Sequence, residues 1–235
     1  MALLTDIELR DALKTEDLEI DPFDEESLQA ASYDMRLGNR ALITKTVSLE
    51  ELKGKIQKEE VKEINVEKEE SLTVPGGAFA LVSTLERIKL PNNYAGHIGM
   101  RTYYTRKGLS ILSGLQIDPG WDGVLVLGLA NLSPRSITLD YKDKLCTIEI
   151  HKLNRPVEKP YQGKFMAEQR EGRIPVSDKD YLRTIETMSV SDLTKALIDL
   201  SQNVGTLGNW VKGFWVGFGI VIILAIITII LQSVK

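Results

Sequence analysis

Two short stretches hold the residues best suited to chemistry. In MRTYYTR, Arg101 and Arg106 stand five positions apart around the hydroxyls of Thr102, Tyr103, Tyr104 and Thr105. Paired guanidiniums donate forked, charge-assisted hydrogen bonds, which suit the oxygens of a phosphate chain. In GLQIDPGWDG, which begins at Gly114, an aspartate, a tight turn and an aromatic ring meet between two apolar runs. Such a turn can offer Asp118 to a sugar hydroxyl or a water while Trp121 stacks on a flat surface. In an ordinary hairpin the same aspartate only caps its own backbone. Other chemistries lack their parts. The chain has one cysteine, Cys146, and two histidines, His97 and His151, far apart along the sequence. A zinc-dependent deaminase needs a His or Cys and two further cysteines on one metal, so zinc is not expected. A Cys–His nucleophilic pair is equally unsupported, and no glycine-rich phosphate loop of the Walker or dinucleotide type occurs. The net charge of −4 gives no global basic field, so nucleic acid is not an expected partner.

The elements that must position these groups are mostly strands. TDIE from Thr5 reads as a capping box, and Ile7, Leu9 and Leu13 follow it, so a short helix is predicted near the start. After Asp34 short apolar or alternating runs take over: MRL, ALI, FALVS, VLVLGL, SITL and CTIEI. Pro-Gly-Gly at Pro75, Pro-Asn-Asn at Pro91 and Asp-Pro-Gly at Asp118 punctuate them as turns. The lysine- and glutamate-rich stretch from Glu50 to Glu70 reads as a solvated helix or surface excursion.

Beyond the β region, Val190, Leu193, Leu197, Leu200, Val204, Leu207 and Val211 alternate steps of three and four, the seam of a heptad repeat. This predicts a short oligomeric stalk, although a lone amphipathic helix would show a similar stripe. From Gly213 to Val234 no charged residue occurs, and the run from Trp215 is almost purely apolar. At about 1.5 Å per residue it covers the roughly 30 Å hydrocarbon core of a bilayer. Trp210 and Trp215 suit an interface belt, and Lys212 and Lys235 bracket the run. The expectation is a single-pass anchor in membrane lipid at the C-terminus. With no signal-like start and a single cysteine, the β domain is expected in the cytoplasm. The predicted domains are residues 1–175, 176–211 and 212–235.

In order along the chain, ASYDMRLGN from Ala31, GGAFALVSTLERIKLPNNYAGHIGMR from Gly76, the Gly114 segment and PYQGKF from Pro160 resemble the dCTP deaminase branch of the dCTP deaminase and dUTPase superfamily. The resemblance implies a mainly β, distorted jelly-roll, dUTPase-like fold assembling as a homotrimer. It implies dNTP sites (dCTP or dUTP) at subunit boundaries and Mg2+ carried on the triphosphate. By position, Arg101 and Thr102 fall where the family has its arginine and serine, and Arg106 matches the arginine that closes that motif. Asp118 matches the aspartate near the deoxyribose, and Trp121 the aromatic after it. Tyr161 and Lys164, with Gln169, fall where the family's C-terminal segment closes over the phosphates.

One departure bears on the reaction. In the family a glutamate on the strand after the Asp-Pro-Gly turn activates the water that attacks cytosine C4. Counting from Asp118, that position holds Gly128, which offers no base. Tyr103 and Tyr104 stand where small residues are usual, and Gly99-Met100 replaces Asp-Gly before the arginine. The leading expectation is therefore a membrane-anchored trimer that binds deoxynucleotides without deaminating them. An active deaminase or dUTP diphosphatase, with Thr102 and Asp118 as catalytic groups, is the enzymatic alternative. A non-binding structural trimer, or one recruiting a protein partner, is the third.

Overall fold

In a computed structural model of the chain, residues 1–15, 18–43, 62–163, 166–175, 197–211, 213–215 and 219 are described. The chain divides into two units, Met1–Ser191 and Asp192–Lys235.

The capping box forms as the sequence predicts. Thr5 N and Thr5 Oγ1 both donate to Glu8 Oε2 at 2.9 Å, and Glu8 N donates back to Thr5 Oγ1 at 3.3 Å, so free amides at the helix start find acceptors. After β1 (Ala2–Leu3), helix α1 (Asp6–Thr15) buries Leu9 and Ala12, while Ile7 stays exposed. Next come β2 (Glu19–Asp21), a 3-10 turn at Glu25–Ser27, β3 (Tyr33–Ile43) and β4 (Lys62–Asn65). A helical turn α2 (Val66–Glu69) leads to β5 (Ser71–Val74), β6 (Phe79–Lys89) and β7 (Tyr94–Met100). A second helical turn, α3 (Thr102–Thr105), is followed by β8 (Leu109–Ile111), β9 (Gln116–Ile117) and β10 (Asp122–Asn131). Then β11 (Ile137–Asp140), β12 (Lys144–Lys152) and the short helix α4 (Met166–Arg170) complete the first unit's named elements.

The strands build a curled antiparallel sheet in the order β8-β10-β6-β3-β12-β7-β9, with β1, β2 and β4 attached at its sides. β5 and β11 form a separate pair. Inward residues such as Tyr33, Met35, Leu37, Val82, Ile88, Leu127, Leu129, Ile148 and Ile150 make one core, as expected when every second strand residue faces one side. The runs MRL and ALI belong to one strand rather than two. β3 passes through both, with a shift in register against β6 between Leu37 and Ala41. Gly38 allows the close approach there, because a Cβ would lie 2.4 Å from the Thr84 carbonyl oxygen.

The stretch read as a solvated excursion is partly built into the fold. Lys62–Asn65 pairs with β3, and Val66 is fully buried. Residues 44–61 lie outside the described ones.

In the second unit, residues 197–211 are helical, and Leu197, Leu200, Val204, Leu207 and Val211 of the heptad seam are exposed. Val190 and Leu193 of that seam are not among the described residues. No described helix is long and apolar enough to cross a membrane. Of the apolar run beginning at Trp215, only Trp215 and Gly219 are described, so the predicted span falls outside the described residues.

Candidate functional site

The curled sheet brings its two ends together at the loop 112–115. On one side Leu112 N donates to Gly128 O at 2.8 Å, reaching β10, and on the other Ile98 N donates to Leu115 O at 2.7 Å, reaching β7. A depression of about 250 Å³ opens at this seam, lined by Ser113, Asp118, Trp121, Val126 and Tyr161 among others. The Asp-Pro-Gly turn is closed by Trp121 N donating to Asp118 O at 3.1 Å. Gly120 has φ +87°, and a Cβ there would stand 2.7 Å from the Pro160 side chain, so both backbone and space call for glycine. Asp118 accepts a 2.7 Å hydrogen bond from Gln116 Nε2, which orients the carboxylate without neutralising it. The Trp121 and Tyr161 rings lie 5.1 Å apart at 32°, and Tyr161 N donates to Pro119 O at 2.7 Å. The structure thus gathers Asp118, Trp121 and Tyr161 at one opening.

The short helix α4 packs over β10. Arg170 Nε is 2.7 Å from Asp122 Oδ2, and Arg87 reaches the other carboxylate oxygen at 2.5 Å. Gln169 lies against Gly123, where a Cβ would be 3.0 Å away, and its buried Oε1 has no hydrogen-bond partner among the described residues. Ile174 packs with Leu42, Phe79, Leu81 and Val126 in a small apolar cluster on the outer face. Lys164 lies outside the described residues.

Gly128 sits in the buried middle of β10 opposite Leu81. A Cβ added there would meet the Phe79 ring at 2.9 Å and 3.1 Å and Ser113 Oγ at 3.4 Å. Its amide donates to Ser113 Oγ at 2.5 Å. The space a side chain would enter is already held by a ring and a hydroxyl. Glu149 does not stand in for the missing carboxylate: it lies on β12, opposite His97 of β7, and does not line the depression.

Arg101 and its neighbours form a different place. Arg101 precedes the short helix α3 as its N-cap, and Arg101 Nη1 lies 2.9 Å from Asp34 Oδ2. Asp34, nearly buried, also accepts from Gln29 Nε2 at 3.3 Å. Two residues on, Arg36 Nε contacts the fully buried Glu86 at 2.5 Å, and Arg36 N donates to Glu86 Oε2 at 2.8 Å. Burial pushes the Glu86 carboxyl above its ordinary range, and the Arg36 hydrogen bonds pull it back only in part. The DMRLGN motif therefore does structural work: Asp34 holds Arg101, Arg36 neutralises Glu86, and Gly38 lets β3 and β6 close.

Tyr103 and Tyr104, which stand where the resemblance leads one to expect small residues, part company. Tyr104 turns inward, nearly buried, with its hydroxyl donating to Asp143 Oδ2 at 2.7 Å; burial and Asp143 both raise its pKa. Only Tyr103 is exposed, with Lys107 Nζ 3.9 Å over its ring. Thr102 and Arg106 are exposed at the two ends of the same turn. Arg101 lines a depression of about 510 Å³ together with Tyr103, Asp140, Asp143 and Lys144. It shares no residue with the depression at Asp118. Among the described residues of this chain, the expected phosphate and sugar groups line separate depressions.

Distance along the chain misleads for the histidines, whose rings stack edge to face at 4.9 Å because β7 and β12 are neighbours. Cys146 is fully buried and remote from them in the pairing, two residues before Ile148 and opposite Met100. Burial raises its thiol pKa, so it is no nucleophile. Sequence reasoning missed Ser113, Phe79 and the Asp34–Arg101 contact. Asp34 carried a signal, since it opens the motif; Ser113 carried none.

A family model described as dCTP deaminase-like matches residues 3–153. The dCTP deaminase of Thermococcus sibiricus is 38% identical over 150 residues, covering 64% of this chain and 85% of that protein. The dUMP-forming dCTP deaminase of Corynebacterium glutamicum is 32% identical over 183 residues, 77% of this chain and 97% of that one. Among solved structures, the 2'-deoxycytidine 5'-triphosphate deaminase from Agrobacterium tumefaciens superposes with a TM-score of 0.51 at 17% identity. The superposition covers 64% of this chain and 47% of that chain, a likeness of fold alone.

Proposed function

We propose a function on one premise: the chain belongs to the dCTP deaminase-like family. It is a deoxynucleoside triphosphate-binding homotrimer in which deamination is lost, held at a membrane by its C-terminal apolar segment. The observation that carries this reading is Gly128, with its amide on Ser113 and the Phe79 ring where a side chain would go. Attack of water on a pyrimidine C4 needs a group that takes the water's proton and holds it in line. General-base assistance contributes about 10²–10⁴-fold. The flanking residues on β10, Leu127 and Leu129, are buried and apolar and supply no acceptor.

Binding asks less. Asp118, oriented by Gln116, can accept from a deoxyribose hydroxyl, and Trp121 with Tyr161 offers ring surface beside it. Arg101 and Arg106 carry the charge for phosphates. Because Arg101 and Asp118 line separate depressions, a nucleotide touching both takes Arg101 from a neighbouring copy. Exposed Leu112, Leu115 and Leu132 are apolar surface that such a neighbour would cover, and the exposed seam at residues 197–211 would join three copies as a stalk. Among the described residues no group of three or more His, Cys, Asp or Glu side chains is placed to hold a metal ion. Magnesium would then be held by phosphate oxygens and water, neutralising triphosphate charge.

The test uses the full chain. With dCTP and magnesium, dUTP formation stays at the uncatalysed level, while calorimetry detects dNTP binding that Arg101→Ala and Asp118→Asn each abolish. Deamination at a rate ordinary for an enzyme overturns the reading. The retained Asp118 favours a second one, dUTP hydrolysis to dUMP, which release of pyrophosphate sensitive to Asp118→Asn would reveal.

A further inference from the structure

Nucleotide binding leaves the two histidines unused, for His97 and His151 line neither depression. Glu149 and His151 stand two positions apart on β12, and His97 of β7 is directly opposite Glu149. All three side chains therefore share one face of the sheet. His151 Nε2 is buried and has no hydrogen-bond partner among the described residues. Glu149 Oε2 lies 3.7 Å from it, beyond hydrogen-bond reach. A buried polar atom left in this way calls for an ion or a water to complete it.

The spacing of the rings separates those two. At metal–nitrogen bonds of about 2.0–2.1 Å, two imidazoles sharing one ion at a tetrahedral angle hold their ring centres roughly 5 Å apart. A water bridging the same nitrogens at about 2.9 Å would hold the centres roughly 6–7 Å apart. The observed separation is 4.9 Å. Turning an imidazole about its Cβ–Cγ bond swings its nitrogens but leaves its centre nearly in place, and that torsion is soft. The separation of the centres, set by the pairing of β7 with β12, is the demanding condition, and it is met.

We propose that His97 and His151 together bind a divalent transition-metal ion of the zinc type, with water in its remaining positions. Glu149, half-exposed, accepts a hydrogen bond from the metal-bound water. Neutral imidazole nitrogens favour zinc, nickel or copper over magnesium or calcium. The chain supplies two ligands here, in keeping with the absence of any group of three among the described residues, so this is a clip between β7 and β12 and not a deaminase's catalytic zinc. It is independent of nucleotide binding.

The test titrates the full chain with zinc chloride alone, read by calorimetry and by the imidazole NMR signals. Because the chain has only two histidines, both ring signals should shift together as one ion binds. The expected dissociation constant is on the order of 10–100 µM, about half the binding free energy of a four-ligand site. His97→Ala and His151→Ala should each weaken binding by more than about tenfold, and Glu149→Gln by about tenfold or less. Magnesium chloride at the same concentration should shift neither ring. Should an alanine variant fail to fold, judged by its melting curve, His97→Phe or His151→Phe takes its place, keeping a ring while removing the nitrogens. Zinc that shifts neither ring or one ring alone, or that binds the alanine or phenylalanine variants as tightly as the parent, overturns the assignment and leaves the nucleotide reading untouched.

Discussion

Around Arg101 the fold is held by charge, and around Gly128 by close packing. Arg101 leans on the nearly buried Asp34, and two residues along the same strand Arg36 neutralises the buried Glu86. Those side chains hold strands together as well as placing a guanidinium, and removing Arg36 leaves the buried Glu86 without its ion pair. At Gly128 the family's glutamate would be replaced at no such cost. The position has Phe79 and Ser113 close against it, and the backbone hydrogen bonds of β10 do not depend on its side chain. A charge frame whose parts also carry the fold is hard to lose, whereas a side chain with no structural duty can change within an intact sheet.

Three substitutions would break or sharpen this contrast. The largest effect is expected from Glu86→Ala, which leaves Arg36 only Asp24 at 3.5 Å and the Pro22 carbonyl: denaturant unfolding should show a loss of about 3–5 kcal/mol. A loss below about 1 kcal/mol would mean that the charge frame is dispensable. Next is Gly128→Glu, whose side chain must displace the Phe79 ring. It should cost about 1–3 kcal/mol without yielding dUTP from dCTP, and Phe79→Ala in the same chain should recover part of that stability. A Gly128→Glu chain that is as stable as its parent and deaminates dCTP would show the two regions to be alike. The smallest effect is expected at Asp34→Asn, which keeps the shape but withdraws the charge facing Arg101. Its dNTP affinity should fall by about tenfold or less through a misplaced guanidinium, read by calorimetry. Unchanged affinity would separate the motif from the site.

Much of the fold is legible in the sequence. The capping box, the turns at Pro75, Pro91 and Asp118, and the strand character after Asp34 all depend on residues close in sequence, and they form as local rules predict. The heptad seam was legible as a helix over residues 197–211. The separate MRL and ALI runs were not recognised as one strand, because a register shift against β6 is a property of two strands rather than one. The solvated reading of the charged stretch failed at Val66 for a similar reason: one buried residue among many charged ones is outvoted in any composition average.

By itself the sequence determined the family and the absence of a carboxylate at position 128, since both are read from residue identity and order. It also determined that Asp118 and Trp121 share a turn, because only three positions separate them. Tertiary structure alone decided that Ser113 backs Gly128, that His97 meets His151, that Tyr104 turns inward, and that Arg101 and Asp118 face different depressions. Each of these follows from strand order and register within a curled sheet, where neighbours are chosen by hydrogen-bonded pairing across the fold and spacing along the chain says nothing of them.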